Sequence, residues 1–269
     1  MSAVWQELER VEMRALTALR CVDATTGAPI NAVLQIQGDF ATMLRNRSGL
    51  YVIRDWQPLA AHTIVFDAPP ATPSIGSQPL TLTITDPAGN YLSRLVTISL
   101  PRDPDPAHAD DAASLFNPIV VPMYPNGILP LGANWAPVRV SLTDTNSGDA
   151  LGGALLLVTS NGTVLARGMT DWRGEALVPV AGIPVTTWSS DPHAVIVSQI
   201  DASLEVVFDP AAGTRTSAIS VSAGTAPAVL PLVDPARIEA QRATLQQTST
   251  AVQLAAGRPL HVSLNLALP

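Results

Sequence analysis

The chain contains no lysine: all 15 basic residues among its 269 are arginine. That excludes any chemistry that needs a lysine amine, such as isopeptide crosslinking. The arginines are scattered singly against a net charge of −7. A nucleic-acid interface needs a positive stripe that displaces counterions, so nucleic acid is not an expected partner. Cysteine is nearly absent. Cys21 stands alone, which excludes an intramolecular disulfide; beside Val22 in a strand-like stretch it reads as a buried thiol. Charged residues are only 14% of the chain, against roughly 25% in ordinary globular proteins. Even so, no apolar run approaches the roughly 18–20 residues of a membrane span. The opening MSAVWQELERVEMRAL carries Glu7, Glu9 and Glu12 and no apolar run of signal-peptide length. A cytoplasmic protein without a membrane span is expected.

Familiar constellations of chemistry are missing too. There is no G-x-S-x-G and no glycine-rich phosphate loop. His62, His108, His193 and His261 form no pair at ligand spacing. The stretch DPDPAHADD offers Asp103, Asp105, Asp110 and Asp111, but lacks the glycine and terminal glutamate of a calcium loop. It reads as a solvated linker. No catalytic residue, metal or cofactor is expected.

Short alternating segments are plentiful. Pro (24) and Gly (17) are spread along the chain, as punctuation between many strands. Strands are expected at 15–22, 33–36, 49–53, 62–66, 80–85 and 95–100, and again at 138–142, 154–158, 163–166, 176–179, 195–197, 204–208 and 261–268. A short helix fits residues 1–13, with Ser2 as cap and Val4, Leu8 and Val11 on one face. A second helix fits 234–247, with Asp234 as cap and Pro235 in its first turn; it would cover a sheet edge or serve in docking. The predicted division is 1–13 helix, 14–102 first β-sandwich, 103–134 acidic linker and proline-rich strap, and 135–269 second β-sandwich. The strap, LFNPIVVPMYPNGILPLGANW, is apolar yet too rich in proline for a central strand.

The two halves repeat each other. Asp23-Ala-Thr-Thr-Gly27 corresponds to Asp144-Thr-Asn-Ser-Gly148, an offset of 144 − 23 = 121. Asn46-Arg-Ser-Gly49 corresponds to Asp171-Trp-Arg-Gly174, an offset of 174 − 49 = 125. A third turn of the second type is Asp86-Pro-Ala-Gly89. In each, Asp or Asn binds amides ahead of it and Gly supplies a positive φ. Asp23, Gly27, Gly49, Asp86, Gly89, Asp144, Gly148, Asp171 and Gly174 are therefore assigned as turn formers.

This pair of turns resembles the carboxypeptidase regulatory-like family, within the wider transthyretin-like and pilin B-domain group. Val22, Asp23, Thr26, Gly27, Pro29, Ile30, Ala32 and Val33 carry the first part of its pattern. Asn46, Gly49, Tyr51 and Ile53 carry the second. The second half departs at Asp149-Ala150 and at Ala176, losing a proline and an aromatic. The resemblance covers roughly 14–70 and 136–185. It implies a mostly β chain of two tandem seven-stranded transthyretin-like or Ig-like sandwiches, acting as rigid spacers or interaction modules. The missing lysine, and the missing LPxTG signal, disfavour a Gram-positive pilin. A second resemblance, carried by LTITDPAGNYLSRLVTISLPRD and LFNPIVVPMYP, is to uncharacterised proteins of phage-tail-like contractile injection systems. It implies a non-enzymatic structural or adaptor protein, able to oligomerise, with sheath, tube or baseplate partners. A surface or periplasmic carbohydrate- or protein-binding module is the alternative. Trp56, Trp172 and Trp188 near turns, and Trp135 at the end of the strap, are its candidate interface residues.

Overall fold

The computed structural model describes residues 15–64, 70–132, 134–183 and 199–268. The expected helix at 1–13, the strand at 195–197 and Trp188 lie outside the described residues. In chain order the strands are β1 (Thr17–Asp23), β2 (Gln35–Gly38), β3 (Ala41–Arg45), β4 (Tyr51–Trp56), β5 (Gln78–Thr85), β6 (Arg94–Leu100), β7 (Ile119–Met123), β8 (Ala136–Asp144), β9 (Ala150–Gly152), β10 (Leu155–Ser160), β11 (Thr163–Met169), β12 (Glu175–Val180), β13 (Gln199–Phe208), β14 (Thr214–Thr216), β15 (Gln246–Ala255) and β16 (Leu260–Leu266). Three short α-helices punctuate them: α1 (Ala60–Ile64), α2 (Ala218–Ser222) and α3 (Pro235–Gln241). The chain is mostly β, as its alternation predicts.

Two compact units form. One holds the described residues within 1–20, 36–82 and 97–120; the other holds those within 21–35, 83–96 and 121–269. Two sheets, ordered β3-β4-β1-β7 and β2-β5-β6, supply the strands up to residue 123. The period-two pattern fills the interior: Leu80, Leu82 and Ile84 of β5 and Val96, Ile98 and Leu100 of β6 are buried, while Thr81, Thr97 and Ser99 face outward.

Within the second unit a four-stranded sheet, β11-β10-β13-β15, and a five-stranded sheet, β12-β8-β9-β14 with β16 parallel to β8, close on one core. These are nine strands among the described residues, more than the seven of the expected module. Val138, Val140 and Leu142 meet Leu156, Val158, Leu204 and Val206 across the interior. The run Leu155-Leu156-Leu157-Val158 is buried on both faces. Leu155 and Leu157 pack outward against Tyr124, Val233 and Ile238. Strap and α3 thus cover a sheet face, not a sheet edge. Burying Ile238 alone is worth about 2 kcal/mol.

The repeat extends from turns to register. Thr17 pairs with Ile53 and Leu19 with Tyr51 between β1 and β4. Val138 pairs with Val178 and Val140 with Ala176 between β8 and β12. The bridge Val22–Pro29 likewise has its counterpart in Thr143–Ala150. All three correspondences carry the sequence offsets.

Three expectations need correction. Residues His62–Ile64 are helical, not extended. Pro58 opens a 3-10 turn directly after Trp56, and Ala60-Ala61 continues it as helix. The C-terminal helix ends near Gln241, followed by a 3-10 turn at Arg242–Thr244; from Gln246 the chain pairs with β13 over ten residues. Thr248, Thr250 and Val252 favour a strand there. The acidic stretch is exposed at Asp105, Asp110 and Asp111, as a solvated segment is, but it does not run between the two units. The amide of Asp103 donates to Ala113 O at 2.9 Å and that of Leu115 to Asp103 O at 2.7 Å, closing it as a loop within the first unit.

Candidate functional site

The assigned turn residues do what their chemistry dictates. Asp23 Oδ1 accepts the Thr25 and Thr26 amides and the Thr26 hydroxyl, and Gly27 at φ +70° donates to Asp23 O at 2.8 Å. Asp144 repeats this: it accepts from the Asn146 amide and Ser147 hydroxyl, and Gly148 at φ +74° donates to its carbonyl at 2.8 Å. The Asn146 amide bond leads the contributions that hold the Asp144 carboxyl below the usual range. In the second type, Asn46 Oδ1 takes the Ser48 and Leu50 amides, and Asp171 Oδ1 takes those of Arg173 and Glu175. Gly49 and Gly174 close these turns at φ +78° and +69°. Asp86 forms the third copy, accepting the Ala88, Asn90 and Tyr91 amides, with Gly89 at φ +72°. These carboxylates are occupied by backbone donors, which suits a rigid turn rather than proton transfer.

The tryptophans divide. Trp56 is buried at the end of β4, 8% exposed, so it presents no partner surface. Its place follows from the alternation of Tyr51, Ile53 and Trp56 inward around a bulge opposite Thr42/Met43. Trp135 is half-buried; its ring lies where a Cβ on Gly132 would sit, 2.7 Å away, so it packs on the strap itself. Trp172 is half-buried beside Arg173, whose guanidinium stands 5.8 Å from the ring centroid. Arg173 also bonds Asp171 at 2.8 Å and Glu175 at 3.4 Å. Of the candidates among the described residues, Trp172 alone sits at a polar turn with part of its ring outward.

Sequence reasoning missed a buried polar node in the second unit. Arg94, 2% exposed, donates from Nη1 to Pro122 O at 2.6 Å and from Nε to Leu95 O at 3.1 Å. Its Nη2 lies 3.8 Å from Asp234, the N-cap of α3, and its guanidinium covers the Tyr124 ring at 5.5 Å. Burial pushes its pKa down and also raises the Cys21 thiol to about 11. Nearby, Arg167 and Glu239 form a bidentate pair at 2.8 and 2.9 Å that ties α3 to β11. The signal was present as Tyr124 in the strap and Asp234-Pro235, but only folding joins them.

Concavities occur in both units. In the first unit an apolar cavity of about 350 Å³ is lined by His62, Pro73, Ile75, Pro101, Arg102 and Leu115. It can seat an apolar group beside a buried imidazole. In the second unit a cleft of about 200 Å³ gathers Asn126, Arg139, Asp171, Arg173, Glu175 and His261. It is mixed in charge and suits a polar ligand. Asp103 and His108 approach at 2.7 Å, but no group of three or more His, Cys, Asp or Glu able to hold a metal occurs among the described residues. No helix among them is long and apolar enough to cross a membrane. No protein-family model matches the chain, and no curated protein matches it.

Proposed function

We propose that this chain is a non-enzymatic structural or adaptor protein, built on two transthyretin-like sandwich modules, that serves in the assembly of a phage-tail-like contractile injection particle. The observation that carries this reading is the strap. In the second unit Tyr124 packs with Leu155 and Ile238 while Ile128 faces outward; in the first unit Phe116 and Val120 face outward. Large apolar side chains held outward on an anchored segment favour docking to another protein. The hydrogen bonds that the paired turns share support the modules as internal repeats.

The test is recovery of the tagged chain from its native host. Sheath, tube or baseplate components should accompany it, and their recovery should fall when Phe116 and Ile128 are replaced by serine. Recovery of the chain alone would sink this reading. A second reading, a carbohydrate- or protein-binding module, draws support from Trp172 at its polar turn. A glycan array without a hit for the wild-type chain would remove its carbohydrate form.

A further inference from the structure

We propose that a groove in the first unit binds an extended acidic segment of a partner protein through the guanidinium groups of Arg20 and Arg102. The proposal names a partner chemistry for the adaptor reading and rests on it. The groove encloses about 610 Å³ and is lined by Arg20, Thr97, Ser99, Arg102, Asn117 and Val120, among others. Strand alternation puts three of these there: Arg20, Thr97 and Ser99 take the exposed positions of β1 and β6. The closed acidic loop places the fourth, since Arg102 Nη2 donates to Ala112 O at 2.6 Å and to Ser114 O at 2.9 Å.

Neither guanidinium is neutralised. The Arg20 side chain makes no hydrogen bond or ion pair with any described residue, and the Arg102 guanidinium bonds only carbonyls. No aspartate or glutamate lines the groove. Elsewhere Arg94, Arg167, Arg173, Arg215 and Arg242 each stand within ion-pair distance of a carboxylate. Two uncompensated like charges share one concavity, in a chain of net charge −7. An incoming carboxylate offsets the cost of partly burying Arg102. Such a site selects and orients an acidic partner more than it adds raw affinity.

The walls favour an extended peptide over a free anion. Among the described residues β6 is outermost in β2-β5-β6, and β7 is outermost in β3-β4-β1-β7. The groove is walled by consecutive residues of each, Thr97–Ser99 and Ile119–Val120. The Ile98 side chain is buried, so its backbone is what lines the groove. The outermost place of each strand leaves room for an added strand alongside it. Val120, 57% exposed, adds an apolar contact.

The experiment is an NMR titration of the isotope-labelled full chain with three probes: a blocked hexaglutamate peptide, the matching hexaglutamine peptide and inorganic phosphate. The glutamate peptide should shift the amides of Thr97, Ser99, Asn117 and Val120, and the glutamine peptide should not. Arg20→Glu should weaken binding about tenfold or more with an unchanged melting curve, and Arg20→Lys should retain most of it. Unshifted groove amides, binding unchanged in Arg20→Glu, or phosphate acting as strongly as the peptide would each overturn the proposal. Native-host recovery separates it from the adaptor reading. Equal capture of particle components by wild type and Arg20→Glu would sink the groove and leave the adaptor standing; capture by neither would sink the adaptor reading.

Discussion

Single residues at the turns carry sharply different stakes. At Gly27 a Cβ would meet open space, so Gly27→Ala costs only the positive φ of +70°, about 1 kcal/mol. At Gly174 a Cβ would strike Leu142 O and press on Leu151 N at 3.1 Å. Gly174→Ala should therefore cost about 3 kcal/mol, and urea unfolding of the two variants reads the difference. Asp23→Ala removes a buried acceptor of three local donors and of the Tyr91 hydroxyl at 3.0 Å. A loss of about 2–3 kcal/mol is expected, with Asp23→Asn recovering most of it. His108 and Asp103 lend themselves to a pH test. The hydrogen bond to Asp103 raises the His108 pKa, and the Asp105 amide, then His108, lowers that of Asp103. The pair supports the loop below the ordinary histidine value near 6.5 and is lost as pH rises through the raised value. It is lost again as pH falls through the lowered carboxylate value. Amide protection at Asp105 and Ala107, relative to the unfolded exchange rate at each pH, should be greatest between these limits, and His108→Gln should flatten the alkaline side.

At the scale of elements, α3 is held by apolar burial and an ion pair of unequal worth. The Arg167–Glu239 pair is 39% and 30% exposed, so solvent screens it. Arg167→Ala should cost about 0.5–1 kcal/mol, whereas Ile238→Ala should cost about 2–4 kcal/mol through the cavity it leaves. Thermal unfolding of the two variants checks the order; equal losses would mean that α3 does not depend on its seat against Leu155 and Leu157. The helix was legible in Asp234-Pro235, but its end was not. Thr248, Thr250 and Val252 lean toward a strand, and ten paired residues with β13 fixed Gln246 to Ala255 as one. The His62 stretch shows the reverse: a β-branched run read as strand was overridden by Pro58 and two alanines.

At the scale of the whole molecule, one buried thiol reports on global opening. Cys21 is 3% exposed and its pKa is raised to about 11 by burial. Its reaction with a thiol reagent at pH 8 should be slow in the native chain and should follow the unfolding rate, because the protonated, buried sulfur is not a nucleophile. Fast labelling without unfolding would contradict that burial. As pH rises past the ordinary thiol range, the unfolded chain ionises before the folded one, so this contribution to stability declines.

What the sequence by itself determined is local. Asp, Asn and Gly at fixed spacing close the same turn wherever they occur, and period-two alternation places a strand's apolar side chains inward. Both act over a few residues, so both were readable, down to the repeated offsets that reappear as ladder register. What only the tertiary structure decided is pairing at a distance. It buried Trp56, seated Tyr124 under Arg94 and against Ile238, and closed an acidic stretch into a loop. It also left Arg20 and Arg102 in one groove without a carboxylate. Arg173 finds Asp171 and Glu175 two residues away, but a charge without such a neighbour gains a partner, as Arg94 gains Asp234, only when the chain has closed around it.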